Sequence, residues 1–197
     1  MSDIHCNTTY LTQDEKEKYL KQRARAIWLT GYSGSGKSTI ALGLEKLMAS
    51  NGYFTRVLDG DIIRTGINKD LGYSPEERYE NIRRIAEVNK IFIQTGIITI
   101  NAFISPTHEI RELAKRIIGE QYFTEIYVDA TLEECIRRDP KGLYKKAIEG
   151  KIKDFTGLDA PYEVPLHPDL VINTEQLTEE QAVDFAFRFL IPEFKYG

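Results

Sequence analysis

The sequence predicts a three-layer α/β/α domain built on a mostly parallel sheet. Three observations predict it. Short apolar runs, several nearly continuous in Val, Ile and Leu, alternate with longer amphipathic stretches along the chain. Such runs suit parallel strands covered on both faces by helices. The stretches between them open on readable helix starts. Residues 31–38 read Gly-Tyr-Ser-Gly-Ser-Gly-Lys-Ser, a complete G-x-x-x-x-G-K-S, set between the apolar Ala26–Thr30 and the helix-like Thr39–Ser50. Strand, loop, helix is the context that gives this motif its meaning.

The elements follow in order. Residues 1–23 form an N-terminal extension, and the domain runs over 24–197. Within the extension Thr12-Gln13-Asp14-Glu15 reads as a capping box opening a charged helix over Glu15–Arg25. Its apolar residues are few, so it is expected to pack on the domain or on a partner subunit. Strands are expected at Ala26–Thr30, Arg56–Leu58, Ile97–Phe103, Glu125–Asp129 and Leu170–Asn173. Ser74-Pro75-Glu76-Glu77 is a capping box with proline at the first helical position. Thr131-Leu132-Glu133-Glu134 and Thr178-Glu179-Glu180-Gln181 read as two more, and Gly52 and Gly96 sit where helices should stop. Residues 139–168 break the alternation. They are long and cationic, with Lys141, Lys145, Lys146, Lys151 and Lys153, and a connection of this kind is expected to be a mobile lid. The plain alternative is a solvated run of charge.

Composition narrows the classes. The 197 residues are enough for one domain with a sizeable core, and 42% hydrophobic with 28% charged is ordinary for a globular protein. A net charge of −4 argues against a broad nucleic-acid surface. Cys6 and Cys135 are far apart, so neither a disulfide framework nor a zinc site is expected, and Cys135 reads as a small apolar residue on a helix. No apolar run approaches a membrane span, and no secretory signal is visible, so a cytoplasmic location is expected.

The chemistry begins at the glycine-rich loop. Its glycines let successive N–H groups of Gly31, Ser33, Gly34, Ser35 and Gly36 point at phosphate oxygens, next to a helix N-terminus. Lys37 can reach the β- and γ-phosphates, the Ser38 hydroxyl can ligate Mg²⁺, and Thr39 follows. Asp59-Gly60-Asp61 ends the second strand, and two carboxylates near a phosphate loop suit metal coordination and activation of a hydroxyl. The alternative is a turn that caps the next helix. Arg64 lies one helical turn after Asp61, and Arg78 and Asn81 share that spacing, which would suit an anionic substrate. Arg83 and Arg84 read as surface residues. Ile104-Ser105-Pro106-Thr107 follows the third strand, where ligands bind in such sheets, or is a turn with a cap at Thr107.

Several segments together resemble the adenylylsulfate kinase (APS kinase) family. They are Gly31–Thr39, Leu58–Asp61, Asn68–Ser74, Glu80–Val88, Phe103–Pro106, Arg138–Ala147 and Phe155–Gly157, covering about residues 24–190. The resemblance implies a P-loop kinase fold and transfer of the ATP γ-phosphoryl to the 3′-hydroxyl of adenosine 5′-phosphosulfate (APS), giving PAPS and ADP with Mg²⁺. It implies Lys37, Asp61 and Ser105 as catalytic residues and Ser38 and Asp61 as metal ligands. It places Arg138 with the ATP base, and Tyr73 and Phe155 on either side of the APS adenine. Arg64, Arg78 and Asn81 would contact the phosphosulfate and sugar, Ile104 and Ser105 would line that pocket, and Lys141 and Leu143 would approach from the lid. It further implies a homodimer, and association or fusion with ATP sulfurylase. Departures from the family pattern are Ile62, Tyr73, Asn101-Ala102 and Thr107. Ser105 has been assigned a phosphoserine role by the family pattern. A serine nucleophile needs an adjacent base, His108 is the nearby candidate, and direct transfer is the expectation here. Other kinases of small molecules, a GTPase switch and a non-catalytic PAPS-binding module are the competing readings. The GTPase reading fails because Asn68-Lys69-Asp70-Leu71 lacks the aspartate of N-K-x-D, and intact Lys37, Ser38 and Asp61 argue against the third.

Overall fold

A computed structural model describes residues 10–196, so Cys6 and the first nine residues of the extension lie outside the described residues. Five strands, β1 (Ala26–Thr30), β2 (Thr55–Asp59), β3 (Ile98–Ala102), β4 (Phe123–Asp129) and β5 (Leu170–Asn173), form one sheet in the order β2-β3-β1-β4-β5. Every pairing is parallel. The expected strands are all present, with β2 and β4 longer than expected because flanking residues, Thr55 and Asp59 of β2 and Phe123 and Thr124 of β4, also join the ladder.

Helices cover both faces. α2 (Lys37–Ser50) and α8 (Glu179–Phe194) pack on one, where Ile27, Leu29, Ile100 and Val128 of the sheet meet Leu44, Met48, Leu190 and Phe194. α4 (Pro75–Gln94) and α5 (His108–Ile118) pack on the other, around Trp28, Leu58, Ile85 and Ala114. This two-sided burial is why β1 and β3 are buried at every residue and read as mostly apolar runs. One polar network sits inside. Asn89 Nδ2 donates to Asn101 Oδ1 at 2.8 Å, and Asn101 Nδ2 donates to the Ile27 carbonyl at 3.2 Å. Asn101 is thus a buried strap between α4 and β1, whereas its neighbour Ala102 lines the main cavity.

Two expectations need correction. The first helix, α1, spans Gln13–Leu20 and stops at Lys21, which turns left-handed (φ 54°), so it ends short of Arg25. The residues after it turn back into the body, where Gln22 donates to the carbonyls of Phe54 and Gly96, both at 2.9 Å. The second correction is Thr131, which caps α6 (Leu132–Arg138) without a complete box. Its Glu134 carboxylate turns instead to Arg137 and Arg138. The boxes at Thr12, Ser74 and Thr178 are complete. Residues 139–168 divide in two. α7 (Leu143–Ile148) and Phe155 lie over the cavity. Tyr162 is bonded to Thr30 (3.0 Å), and the Glu163 N–H to the Pro106 carbonyl (2.8 Å), so that end is fastened to the sheet. Among the described residues no helix is long and apolar enough to cross a membrane.

Candidate active site

The register brings three chain exits to one edge of the sheet. Asp59 of β2 and Leu29 of β1 both pair with Ala102 of β3, so the glycine-rich loop, the Asp59–Asp61 turn and the 103–106 loop leave side by side. That edge is the carboxyl end of the strands, where ligands bind in open α/β sheets. A cavity of about 720 Å³ opens there.

The loop wraps its own lysine. Gly31 takes φ 149°, and a Cβ there would lie 2.5 Å from the Val128 carbonyl, so only glycine fits. Lys37 is buried and donates to the carbonyls of Gly31 (2.9 Å) and Tyr32 (2.6 Å). Burial pulls its ammonium pKa down to about 8. Ser33, Gly34, Gly36, Lys37, Ser38 and Thr39 line the cavity. Gly31 and Ser35 do not: Gly31 is pressed against β4, and the Ser35 hydroxyl is buried behind the loop with no hydrogen-bond partner.

The two carboxylates of Asp59-Gly60-Asp61 have different partners. Ser38 Oγ donates to Asp59 Oδ2 at 2.6 Å. Asp59 also caps α3 (Gly60–Thr65), accepting from the Asp61 N–H at 3.0 Å. The capping reading of this turn therefore holds, in the same residue that bonds Ser38. Asp61 is exposed and paired with Lys141 from the far side of the cavity. Of the expected ligand pair, Ser38 is thus bonded to Asp59, and Asp61 to Lys141. Hydroxyl and carboxylate are hard oxygen donors, the kind that Mg²⁺ takes together with phosphates and water. Among the described residues no group of three or more His, Cys, Asp or Glu could form an all-protein cage.

The other end of the cavity is built by α3, α4 and the 154–156 segment. Arg64 donates to the carbonyls of Leu71 (3.1 Å) and Gly72 (2.6 Å) and lies 4.3 Å above the Tyr73 ring. Arg78 donates to the carbonyls of Tyr73 (2.7 Å) and Asp154 and to Thr156 Oγ1 (2.6 Å). The Asn81 side-chain oxygen accepts from buried Asn68 at 2.9 Å. Phe155 is buried, with its ring edge-on to Tyr144. Arg83 and Arg84 pair with Glu80 and stay outside the cavity, as expected.

Ser105 is 2% exposed and holds a positive φ of 39°, an unfavourable conformation for serine that its surroundings enforce. Trp28 Nε1 donates to its hydroxyl at 3.1 Å, and Arg111 donates to its carbonyl at 2.8 Å. The remaining hydroxyl proton points to the Phe103 carbonyl at 3.4 Å. His108 Nδ1 faces Arg111 instead, at 2.9 Å. No side-chain base is bonded to the Ser105 hydroxyl among the described residues. Arg138 bonds Glu134 (2.8 Å) and both oxygens of Thr174 (2.9 and 3.0 Å) beside the loop.

Sequence reasoning missed Thr174, Leu177 and Thr178 in the cavity wall, and it missed Asn68 and Arg111 as supports of Asn81 and Ser105. Thr174 directly follows β5, so the strand-end rule could have found it. Asn68 and Arg111 carry no local signal.

A family model for adenylylsulphate kinase matches residues 23–173 of the chain. An adenylyl-sulfate kinase of Bacteroides fragilis is 56% identical over 182 residues, covering 92% of this chain and 90% of that protein. One of Clostridium acetobutylicum is 50% identical, with the same two coverages. Among solved structures, the Mycobacterium tuberculosis APS kinase in complex with AMPPNP and APS superposes with a TM-score of 0.83. The two are 39% identical, and the match covers 86% of this chain and 98% of that one. The family match spans the phosphate loop, the carboxylate turn and the Phe155 segment that the sheet edge gathers around a single cavity, and this chain belongs to the adenylylsulfate kinase family.

Proposed function

We propose that this chain transfers the γ-phosphoryl group of Mg-ATP to the 3′-hydroxyl of adenosine 5′-phosphosulfate. The observation that carries the reading is the single cavity. Its one end is the glycine-rich loop with Lys37 and Ser38, its other end is Arg78, Asn81 and Phe155, and Asp61 with Lys141 stands between.

Each residue has a role that follows from its place. Loop N–H groups and Lys37 hold the β- and γ-phosphates, and bound phosphate charge restores the full positive charge on Lys37. The Ser38 hydroxyl and the Asp59 carboxylate would hold Mg²⁺, which supplies charge neutralisation on the phosphate oxygens. Phe155 and Tyr73 offer aromatic faces to the acceptor base, while Arg64, Arg78 and Asn81 fix its anionic part. Asp61 accepts the proton of the attacking 3′-hydroxyl. That oxygen forms a bond to the γ-phosphorus as the bond to the ADP oxygen breaks in line. Lys141 stabilises charge at the same junction. The covering segment excludes water, which limits wasteful hydrolysis.

The test is ADP release with Mg-ATP and APS, run beside nucleosides and gluconate as alternative acceptors. APS-dependent ADP release with PAPS formation is expected. Stimulation by another acceptor and none by APS would sink the assignment.

A further inference from the structure

We propose that Tyr144 is a positioning residue that couples the two ends of the cavity, so that the donor and acceptor nucleotides tighten each other's binding. The proposal rests on the reading above, in which both nucleotides occupy this cavity together. Tyr144 itself does not line the cavity. It is 1% exposed, inside a small cluster with Ala130, Cys135 and Phe155 that is separate from the two cores flanking the sheet. From there it touches both ends. Its hydroxyl donates to the Ser33 carbonyl of the phosphate loop at 3.0 Å. Its ring meets the Phe155 ring edge-on, with centroids 4.9 Å apart and planes at 75°. Ser33 and Phe155 both line the cavity.

The geometry gives the coupling a physical route. A phosphate held by the loop's N–H groups fixes the orientation of the loop peptides, the Ser33 carbonyl among them. That carbonyl is the acceptor for the Tyr144 hydroxyl. The ring cannot shift on its own in a close-packed cluster, so fixing the hydroxyl fixes the edge against which Phe155 rests. Filling space does not account for the hydroxyl, because phenylalanine would fill the same space without a polar atom to satisfy. By linkage, whatever ATP does for APS binding, APS must do for ATP binding.

The experiment measures the dissociation constant of APS by calorimetry, with and without saturating Mg-AMPPNP, on the unsubstituted chain and on Tyr144→Phe. The unsubstituted chain is expected to bind APS at least about five-fold tighter when the analogue is present. Tyr144→Phe keeps the ring and loses one hydrogen bond. It should lower that factor by about two- to ten-fold while each nucleotide alone binds as before. A loss of packing would weaken the separate affinities and leave the factor alone, so an unchanged factor overturns the proposal, as does a factor of one in the unsubstituted chain. Should APS fail to bind the unsubstituted chain at all, the proposed function falls and this proposal with it. Where Tyr144→Phe does not fold, hydrogen exchange on the unsubstituted chain decides. Amides 152–158 are expected to slow when Mg-AMPPNP binds alone, and unchanged exchange overturns the coupling.

Discussion

Lys37 is pulled in two directions. Burial lowers its pKa to about 8, yet its work on phosphate requires the charged form. Nucleotide binding near pH 8.5 should therefore take up a proton, because the free lysine is mostly neutral there and the bound one is charged. Calorimetry of ADP binding in two buffers of different ionisation enthalpy measures the uptake, which Lys37→Ala should abolish along with about 10²–10³-fold of kcat. The folded pKa lies below the ordinary lysine value of 10.5, so the unfolded chain holds this proton more tightly. The free protein should gain stability as pH rises from about 8 toward 10.5. The two aspartates separate in the same manner. Asp59→Asn should raise the Mg²⁺ concentration needed for half-maximal rate, since Asp59 is the carboxylate bonded to Ser38. Asp61→Asn should lower kcat and leave the Mg²⁺ requirement near normal. Equal shifts in Mg²⁺ requirement for both would merge their roles. Ser105→Ala should keep substantial kcat, because its hydroxyl is committed to Trp28 and Phe103. It should cost about 1–3 kcal/mol of stability by leaving the indole N–H unpaired, read from urea unfolding. A chiral γ-phosphate should emerge inverted, and retention together with an inactive Ser105→Ala would make Ser105 a phosphoryl carrier.

At the scale of elements, α4 carries the acceptor end of the cavity on one face and the sheet-facing core on another. Its start is fixed by the Ser74 capping box: Ser74 Oγ accepts from the Glu77 N–H, and Glu77 reaches back to the Ser74 N–H at 3.0 Å. Ser74→Ala should cost about 1 kcal/mol, lowering Tm by roughly 2–4 °C in a chain of this size. A larger fall in APS affinity than in ATP affinity is also expected, because Arg78 sits one turn inside the helix. Equal losses for both nucleotides would show that the cap serves stability alone. The capping signals show how far an element can be read locally. Ser74 and Thr178 form the boxes that their sequences spell. Thr131 spells the same box, but two arginines one turn on compete for its glutamate and win, since a charge-assisted bidentate pair outbids a single backbone N–H.

For the whole molecule, α1 and the cavity cover are fastened to one body. Glu17 of α1 is buried and accepts from Arg23 and the Ala24 N–H, both at 2.9 Å, while Tyr162 and Glu163 secure the far end of the 139–168 segment. Thermal unfolding should therefore be a single transition, and each nucleotide at about 100 times its Kd should raise stability by about 2.7 kcal/mol without splitting it. An early separate transition would show that α1 or the cover melts alone. The homodimer implied by family resemblance is tested by sedimentation equilibrium at assay concentrations, where a protomer mass of 22.6 kDa throughout would exclude it.

What the sequence determined by itself was everything encoded within a few residues. Backbone sterics fix the glycine positions of the loop, caps announce helix starts, and two-sided burial leaves apolar runs, so fold class, strand positions and the phosphate loop were all legible. The family-specific segments added the substrate. What only the tertiary structure decided were the pairings across long stretches of chain. Ser38 finds Asp59 over 21 residues, Trp28 finds Ser105 over 77, and Tyr144 finds Ser33 over 111. No spacing rule reaches so far, because these distances are set by strand register and helix packing, which many remote side chains fix jointly. That is why Asp59 and Asp61, two residues apart in an acidic turn, could be told apart only once the sheet had placed one beside the loop and the other beneath Lys141.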